Sequence, residues 1–355
     1  MTAPGSILVV QTAFVGDVIL ALPLLQLLRE KFPESMITAV TIPAAEGLLA
    51  NHPAVGRVLV YDKRGADRGL RGLMRMASRL RAAGIEVALI PHRSLRSALI
   101  CRLAGIPVRI GFDTSAGRFL LTQSVRYVST DHEIQRNLAL AVPLGVSSPG
   151  IRFPRLCPSE ADGLAVDAFM RGCFGPDSVL QTPPCIAVAP GSVWNTKRWP
   201  ESKFTSLIRS LLDEGWHVVL VGGEADRALC SRLGAAARDT HLADASGRFS
   251  LLESADILGR CAALVSNDSA PVHLAVAMRV PVVAIFGPTL PSFGFAPPGP
   301  GDRVVETPGL WCRPCSIHGG RRCPTGTFDC MNRISAERVR NETLALLAGK
   351  SDRPS

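Results

Sequence analysis

The sequence predicts an α/β protein built from two Rossmann-like, doubly wound domains that face a cleft. The chain has 355 residues, which favours two domains over one. Short apolar runs alternate with helical patterns, as in parallel sheets that are covered by helices. This alternation begins near the N-terminus and starts again at Cys185. Apolar residues make up 47% of the chain and the mean hydropathy is +0.22, so each half can bury a core.

In the first half, five short apolar runs predict strands and four longer periodic segments predict helices. Gly84 and Gly105 each follow a predicted helix, at the position where glycine often ends one. The repeated strand–helix order is typical of a Rossmann-like sheet. The predicted strands are Ile7–Val10, Met36–Ile42, Arg57–Tyr61, Val87–Pro91 and Val108–Phe112, and the predicted helices are Val18–Lys31, Leu70–Ala83, Ser94–Ala104 and His132–Leu144.

The second half repeats this order after a segment rich in Pro, Gly and Ser. We predict a first domain over 1–176, a linker over 177–184 and a second domain over 185–335 with a Cys-rich insertion at 311–331. Residues 336–355 form a last helix and tail, a candidate to pack back on the first domain. The predicted strands are Cys185–Ala189, His217–Val221 and Ala263–Val265, and the predicted helices are Glu160–Arg171, Glu201–Glu214, Ala225–Ala237, Leu251–Gly259 and Ala336–Leu347. Between Val265 and Thr289 the segment also predicts a polar elbow, a short helix, a further strand and a Gly-Pro turn.

Positive charge is concentrated in one window of the first half. The chain carries a formal net charge of +9, and the window from Arg57 to Arg109 holds twelve Lys or Arg against three acids. Such a face favours an anionic partner, either a nucleic acid, an acidic membrane surface or a phosphorylated substrate. A solvated face on an Arg-rich chain is the alternative.

Two loops of the second half carry the polar residues that an anion site needs. In doubly wound sheets, ligands bind beyond the carboxyl ends of the strands. The loop PGSVWNTKRWP offers the hydroxyls of Ser192 and Thr196 and the charge of Lys197. The segment SNDSAPVH places Asp268 and Ser269 at a helix start, where free N–H groups favour an anion. Each segment could instead have a purely structural role. The first would then be a surface loop that caps a helix, and the second a helix cap.

Three further residues are candidates on weaker patterns. His273 lies one turn into the helix that follows Ser269, and Glu224 follows Gly222-Gly223 after a strand, where an acid accepts from a ribose in nucleotide folds. Asp17 is the one carboxylate in the first loop and starts a helix, so it is either a cap or a general base that faces the cleft.

Four of the ten cysteines lie within nineteen residues, in the pattern CxxC-x7-C-x6-C. The pattern fits a structural zinc site of Cys312, Cys315, Cys323 and Cys330, or free and reversibly oxidised thiols. Several motifs are missing, namely the dinucleotide and P-loop glycine patterns, the D-x-D pair and the G-x-S-x-G elbow. We find no run of about 18 apolar residues and no signal peptide, so we expect a cytoplasmic protein.

Seven segments, spread over most of the chain, form a recognisable series. They are QTAFVGDVILALPLLQLL, PHRSLRSALICRLAGIPVRIGFD, DHEIQRNLAL, PGSVWNTKRWP, VVLVGGEAD, VSNDSAPVHLAVAM and PVVAIFGPT. Taken together and in this order, they resemble the heptosyltransferases of lipopolysaccharide core synthesis, a family with the GT-B fold, and most of all its type II members.

The resemblance implies an inverting transfer of heptose from ADP-L-glycero-D-manno-heptose to a lipid-linked inner-core acceptor, the first heptose of heptosyl-Kdo2-lipid A. It implies no cofactor for catalysis and peripheral contact with the cytoplasmic face of the inner membrane. Asp17 would take the acceptor's proton and Lys197 would stabilise the departing ADP. The donor would be bound by the second domain, through Ser192, Thr196, Glu224, Asp268, Ser269, Ala270 and His273.

The acceptor carries phosphates and sugar-acid carboxylates, which fits the basic window. His92, Arg93 and Arg96 are the candidates there, ahead of Lys63 and Arg64. Ala270 stands where the family usually has Gly, in its D-[ST]-G elbow. The alternatives are a heptosyltransferase of type I or III, a nucleotide-sugar epimerase of the same fold, or a nucleic-acid-binding module, although the basic window lacks the interleaved aromatics of the last.

Overall fold

The computed structural model describes residues 3–147, 150–175 and 185–349, and its contacts divide the chain into two units, Met1–Cys157 and Pro158–Ser355. The division lies earlier than the predicted linker, and residues 177–184 fall outside the described ranges. The helix Glu160–Phe174 belongs to the second unit because it packs against the helix Leu251–Gly259. Both helices bury apolar faces in that contact.

The first unit is organised by a parallel sheet of six strands in the order β3-β2-β1-β4-β5-β6. Every neighbouring pair is parallel, and β1 lies between β2 and β4. This is the strand order of doubly wound dinucleotide folds, in which the order reverses between the first and fourth strands. The strands are β1 (Ser6–Val10), β2 (Met36–Thr41), β3 (Arg57–Val60), β4 (Val87–Ile90), β5 (Val108–Phe112) and β6 (Gln123–Val125).

Helices cover this sheet and complete its core. The longest of them, Val15–Lys31, has ten buried side chains and contains Pro23, so it is a core helix. A basic amphipathic helix buries Leu73, Met76 and Leu80 in a cluster with Leu8 and Ile90 of the sheet. The helices are α1 (Val15–Lys31), α2 (Glu46–Ala50), α3 (Gly69–Ala82), α4 (Leu95–Leu103) and α5 (Glu133–Ala139).

The second unit repeats the arrangement, with a parallel sheet in the order β12-β11-β10-β7-β8-β9. Counted from its own first strand, the order is the same as in the first unit, and the reversal lies between β7 and β10. The strands are β7 (Cys185–Ala189), β8 (His217–Leu220), β9 (Leu242–Asp244), β10 (Ala263–Asn267), β11 (Val282–Phe286) and β12 (Arg303–Glu306).

Helices also cover the second sheet. The last helix, Ala336–Ala348, packs against the helix Glu201–Asp213 and against β12 of its own unit. It buries Val339 and Leu346 in the core of that unit. The helices are α6 (Glu160–Phe174), α7 (Glu201–Asp213), α8 (Arg227–Ala237), α9 (Leu251–Gly259), α10 (Ala270–Ala277), α11 (Asp329–Asn332) and α12 (Ala336–Ala348). Among the described residues, no helix combines the length and the apolar character that a membrane span requires.

The prediction of two Rossmann-like α/β domains is confirmed. The predicted strands with buried apolar runs are all present, because such runs are visible without knowledge of their partners. The sequence reading missed three edge strands, β6, β9 and β12, which have three or four residues each and contain polar side chains. Edge strands are buried on fewer sides, so their sequences carry little of the apolar signal.

Candidate functional site

Both sheets reverse their strand order at an equivalent point, and polar loops meet there in each unit. The reversal lies between β1 and β4 in the first sheet and between β7 and β10 in the second. At such a point the loops leave the sheet in opposite directions and open a crevice beyond the strand ends, which is where ligands bind in this class of fold.

In the second unit, an ion pair joins the loop after β7 to the end of β10. Nζ of Lys197 lies 2.6 Å from Oδ2 of Asp268, and their side chains are 12% and 8% exposed. The hydroxyl of Thr289, in the loop after β11, donates to the same oxygen at 2.6 Å. Three neighbouring strand ends therefore contribute to one small cluster that contains the lysine predicted to meet the diphosphate.

Asn267 holds the backbone around this ion pair. Its side-chain nitrogen donates to the carbonyl oxygen of Pro190 at 2.8 Å, and its side-chain oxygen accepts from the backbone N–H of Trp199 at 3.1 Å. Asn267 is fully buried. Because it binds both ends of the loop 190–199, it fixes that loop against β10.

The helix α10 begins immediately beyond the ion pair. Ser269 is its extended N-cap residue, with φ −155° and ψ 176°, and its side chain makes no capping hydrogen bond. Ala270 is the first helical residue and Pro271 lies in the first turn, so the backbone at Ala270 is helical and does not require glycine. His273 is buried on the same helix.

The other predicted donor residues lie around the same strand ends with differing surroundings. Ser192 is buried, and its hydroxyl accepts from the N–H of Trp194 at 3.3 Å. The hydroxyl of Thr196 accepts from the N–H of Gly320 at 2.7 Å, which gives it a structural role. Glu224 follows β8 with a 73% exposed side chain, paired with Arg227 at 3.1 Å.

In the first unit, Asp17 lies in the first turn of α1. Oδ2 of Asp17 accepts from the backbone N–H of Phe14 at 3.2 Å, so the carboxylate satisfies one of the free N–H groups at the helix start. Burial and the charges of Arg64 and Arg96 lower the pKa of Lys63, and the negative charge of Asp17 partly opposes this lowering. Asp17 therefore lies within electrostatic reach of the loop that follows β3.

The loops after β1, β3 and β4 are joined by Thr12, Lys63 and His92. Nδ1 of His92 lies 3.0 Å from the Thr12 hydroxyl and 3.2 Å from that of Ser97. Nζ of Lys63 donates to the carbonyl oxygen of Thr12 at 2.5 Å. Burial, together with the charges of Lys63 and Arg93, lowers the pKa of His92 to about 4, so the imidazole is neutral at physiological pH.

The two predicted arginines, Arg93 and Arg96, have different surroundings. The guanidinium of Arg96 donates to the Tyr61 hydroxyl at 2.5 Å and to the carbonyl oxygen of Gly69 at 2.7 Å, so it braces the loops after β3. Arg93 is exposed, and its guanidinium lies 4.1 Å from the centre of the Tyr127 ring. A cation held over an aromatic face keeps its N–H groups available for an anion.

A buried carboxyl group, Glu133, lies beside this cluster and was not predicted. It forms an ion pair with Arg136 at 3.0 Å, and both side chains are nearly inaccessible. Burial raises the pKa of Glu133 to about 7, with a further increase from the charge of Asp17 and opposing effects of Arg136 and Arg93. Two carboxyl groups therefore share the region around the start of α1.

The Cys-rich segment holds free thiols. All ten cysteines of the chain are unpaired. In the described parts of the chain, no three His, Cys, Asp or Glu side chains are grouped so that they could hold one metal ion. The structure therefore does not assemble Cys312, Cys315, Cys323 and Cys330 into the predicted zinc site.

Sequence reasoning missed Thr289 and Tyr127 because each contacts a residue from a distant part of the chain, and it missed Glu133 because folding decides its burial. Thr289 ends the segment PVVAIFGPT, which was noticed as a motif without a role for its last residue. Its position directly after a buried strand is the signal that identifies such a residue, since strand ends of one sheet lie side by side.

Comparison with known families and proteins gives a consistent result. Residues 73–321 match the sequence profile described as "Glycosyltransferase family 9 (heptosyltransferase)". The chain is 30% identical to lipooligosaccharide heptosyltransferase 2 of Haemophilus ducreyi over 302 residues, which covers 81% of this chain and 84% of that protein.

Solved structures agree over nearly the whole length. The chain resembles a family 9 glycosyltransferase from Veillonella parvula with a TM-score of 0.87 at 25% identity, covering 97% of this chain and 98% of that one. It resembles the ADP-heptose lipopolysaccharide heptosyltransferase II of E. coli with a TM-score of 0.77 at 25% identity, covering 98% and 99%. Both likenesses span the two units.

Proposed function

The chain belongs to glycosyltransferase family 9, the heptosyltransferases, and we propose that it acts as a type II enzyme. In this proposal it transfers a heptose from ADP-L-glycero-D-manno-heptose, with inversion, to the first heptose of heptosyl-Kdo2-lipid A. The observation that carries the proposal is the Lys197–Asp268 ion pair at the start of α10. It combines a positive charge with a helix N-terminus, which suits the diphosphate of a nucleotide sugar.

We assign the donor to the second unit because its diphosphate is negatively charged and the start of α10 is positive. Lys197, the hydroxyl of Ser269 and the first N–H groups of α10 would face the diphosphate. Asp268 would repel a phosphate, so it is assigned to sugar hydroxyls. Lys197 and Thr289 both contact Oδ2 of this carboxylate, and we assign Oδ1 to the donor. Glu224 and His273 complete the donor set as acceptors for hydroxyl groups.

The proposed reaction is a single displacement at the anomeric carbon. The acceptor hydroxyl attacks that carbon and gives its proton to Asp17, while the bond to the phosphate oxygen breaks and its electron pair leaves with ADP. Attack from the face opposite the leaving group inverts the configuration. Lys197 and the α10 N-terminus would stabilise the negative charge that develops on ADP. This scheme uses side chains and backbone alone and assigns no catalytic cofactor.

The acceptor is assigned to the first unit through its basic window. We propose that Arg93 binds an anionic group of the inner core, because its guanidinium is exposed and is held by the ring of Tyr127. His92 would be a neutral hydrogen-bonding partner. The same basic face would bring the protein to the cytoplasmic surface of the inner membrane, where the lipid-linked acceptor lies.

Replacing Arg93 with Ala should raise the acceptor KM roughly tenfold, since a lost charged contact of about 1.4 kcal/mol corresponds to that factor. Donor KM should stay unchanged. The matched control is Arg96→Ala, which removes the bonds to Tyr61 and Gly69 and should mainly lower the melting temperature. Kinetics against both substrates, with a thermal melt of each variant, check this; an unaltered acceptor KM in Arg93→Ala contradicts the assignment.

The function itself is tested by a transfer assay with purified protein and ADP-heptose. Lipid A acceptors that carry Kdo alone, one heptose or two heptoses are compared by mass spectrometry. Addition of one heptose to the singly heptosylated acceptor is the expected result. Preference for the Kdo-only acceptor would indicate a type I enzyme, and preference for the longer one a type III enzyme. Conversion of ADP-heptose without any acceptor would indicate an epimerase.

A further inference from the structure

The Cys-rich segment, residues 311–331, contacts the loop that carries Lys197. The N–H of Gly320 donates to the Thr196 hydroxyl at 2.7 Å, and the N–H of Thr196 donates back to the carbonyl oxygen of Gly320 at 3.0 Å. At Gly319 the backbone has φ +85°, and an added Cβ would lie 3.1 Å from Cγ of Lys197. Glycine at this position therefore allows the segment to pack closely on the lysine.

The same segment also binds the loop after β11, through Arg313. This side chain is 5% exposed, and its guanidinium forms an ion pair with Glu306 at 2.5 Å. It donates to the carbonyl oxygen of Thr289 through Nε at 3.2 Å and Nη2 at 2.7 Å, and to that of Thr307 at 3.1 Å. A buried guanidinium with this many acceptors fixes the backbone of Thr289.

Thr289 connects this anchor to the ion pair. It is 2% exposed, and its hydroxyl donates to Oδ2 of Asp268 at 2.6 Å. Oδ2 is also the oxygen that Lys197 contacts at 2.6 Å. The contacts thus run without a gap from Arg313 through Thr289 and Asp268 to Nζ of Lys197. The hydrogen bond from Thr289 to the shared oxygen limits the rotation of the Asp268 carboxylate. It also weakens the attraction between that oxygen and Nζ of Lys197.

We propose that Thr289 and Arg313 are positioning residues of the donor site, which make the Cys-rich segment a structural part of that site. They touch no substrate. They hold Asp268 in one orientation, and Asp268 in turn holds Nζ of Lys197 where the diphosphate binds. This inference rests on the proposed function, because it assumes that Lys197 binds the nucleotide.

The test is the substitution Thr289→Val, which keeps the volume of the side chain and removes the hydroxyl. Affinity for ADP, measured by calorimetry on the full-length protein, should fall roughly tenfold, as expected for a lost hydrogen bond to a charged group. The acceptor KM should stay unchanged. Thr289→Ser, which retains the hydroxyl, should restore ADP binding to near the wild-type value.

The matched control is Thr343→Val, since Thr343 is also buried and its hydroxyl donates to the carbonyl oxygen of Val339 at 2.8 Å within α12, without contact with Asp268 or the Cys-rich segment. It should bind ADP like the wild type. Equal ADP affinity in Thr289→Val and wild type would overturn the inference alone, as would equal losses in both valine variants. A wild-type protein that does not bind ADP would overturn the proposed function and this inference together.

Discussion

Replacing Asp17 with Asn is expected to lower kcat by roughly 10²–10⁴-fold, the range of contribution of a positioned general base. The amide cannot accept the proton of the attacking hydroxyl at neutral pH. ADP affinity should stay at the wild-type value, because the proposed donor residues all belong to the second unit. Single-turnover kinetics with saturating acceptor, together with calorimetric titration of ADP, separate these two effects.

The substitution is chosen so that the fold is retained. Asp17 accepts a hydrogen bond from the N–H of Phe14 at 3.2 Å, and the amide oxygen of Asn can accept the same bond. A matched control is Asp62→Asn, an acid of the same unit that accepts from the N–H of Gly65 at 2.8 Å. The control should keep normal turnover. Near-normal kcat in Asp17→Asn would remove Asp17 from the role of base.

Replacing Lys197 with Ala is expected to cost about 2–4 kcal/mol of transition-state stabilisation, the range found when a group that stabilises developing charge is removed. The donor KM should rise as well, because Lys197 would also meet the diphosphate in the ground state. Without Lys197, Asp268 keeps the hydrogen bond from Thr289 but loses its cationic partner, so the melting temperature should also fall. kcat/KM for ADP-heptose and a thermal melt measure the two effects.

Two further variants isolate the contribution of the charge. Lys197→Arg keeps a cation near Asp268 and should recover part of the lost activity. Lys203→Ala removes a lysine of the same unit that donates to the carbonyl oxygen of Ile334 at 2.6 Å, so it should lower stability without changing the donor KM. Unchanged kinetics in Lys197→Ala, or an equal loss in Lys203→Ala, would contradict the proposed role.

Much of the candidate site was predictable because its residues lie directly after buried strands. Lys197 follows β7 and Asp268 follows β10, and the structure joins them by an ion pair. The apolar runs identify the strands, and the doubly wound order then brings these loops together. Arg96 shows the limit of this reasoning. Its charge and position predicted a residue that binds the acceptor, whereas its guanidinium donates hydrogen bonds to Tyr61 and Gly69 of the same unit.

The Cys-rich segment shows the same limit. Its spacing is compatible with zinc, but thiol spacing along the chain does not fix where four side chains point. In the described residues the structure offers no metal-binding group there, and it shows Arg313 and Gly320 in contact with the predicted donor loops. Nothing in the local sequence marks Arg313 as different from the many other arginines of this chain.

The sequence by itself determined the two Rossmann-like domains, the loops at their strand ends and the family to which the chain belongs. These features depend on local patterns, namely runs of buried residues, turn residues and short motifs, which are read along the chain. Only the tertiary structure decided which charged side chains are already bound and which are exposed. The physical reason is that a hydrogen bond such as that from Thr289 to Asp268 joins residues that folding brings together. The two residues are separated in the sequence, so the local pattern around either one does not identify its partner.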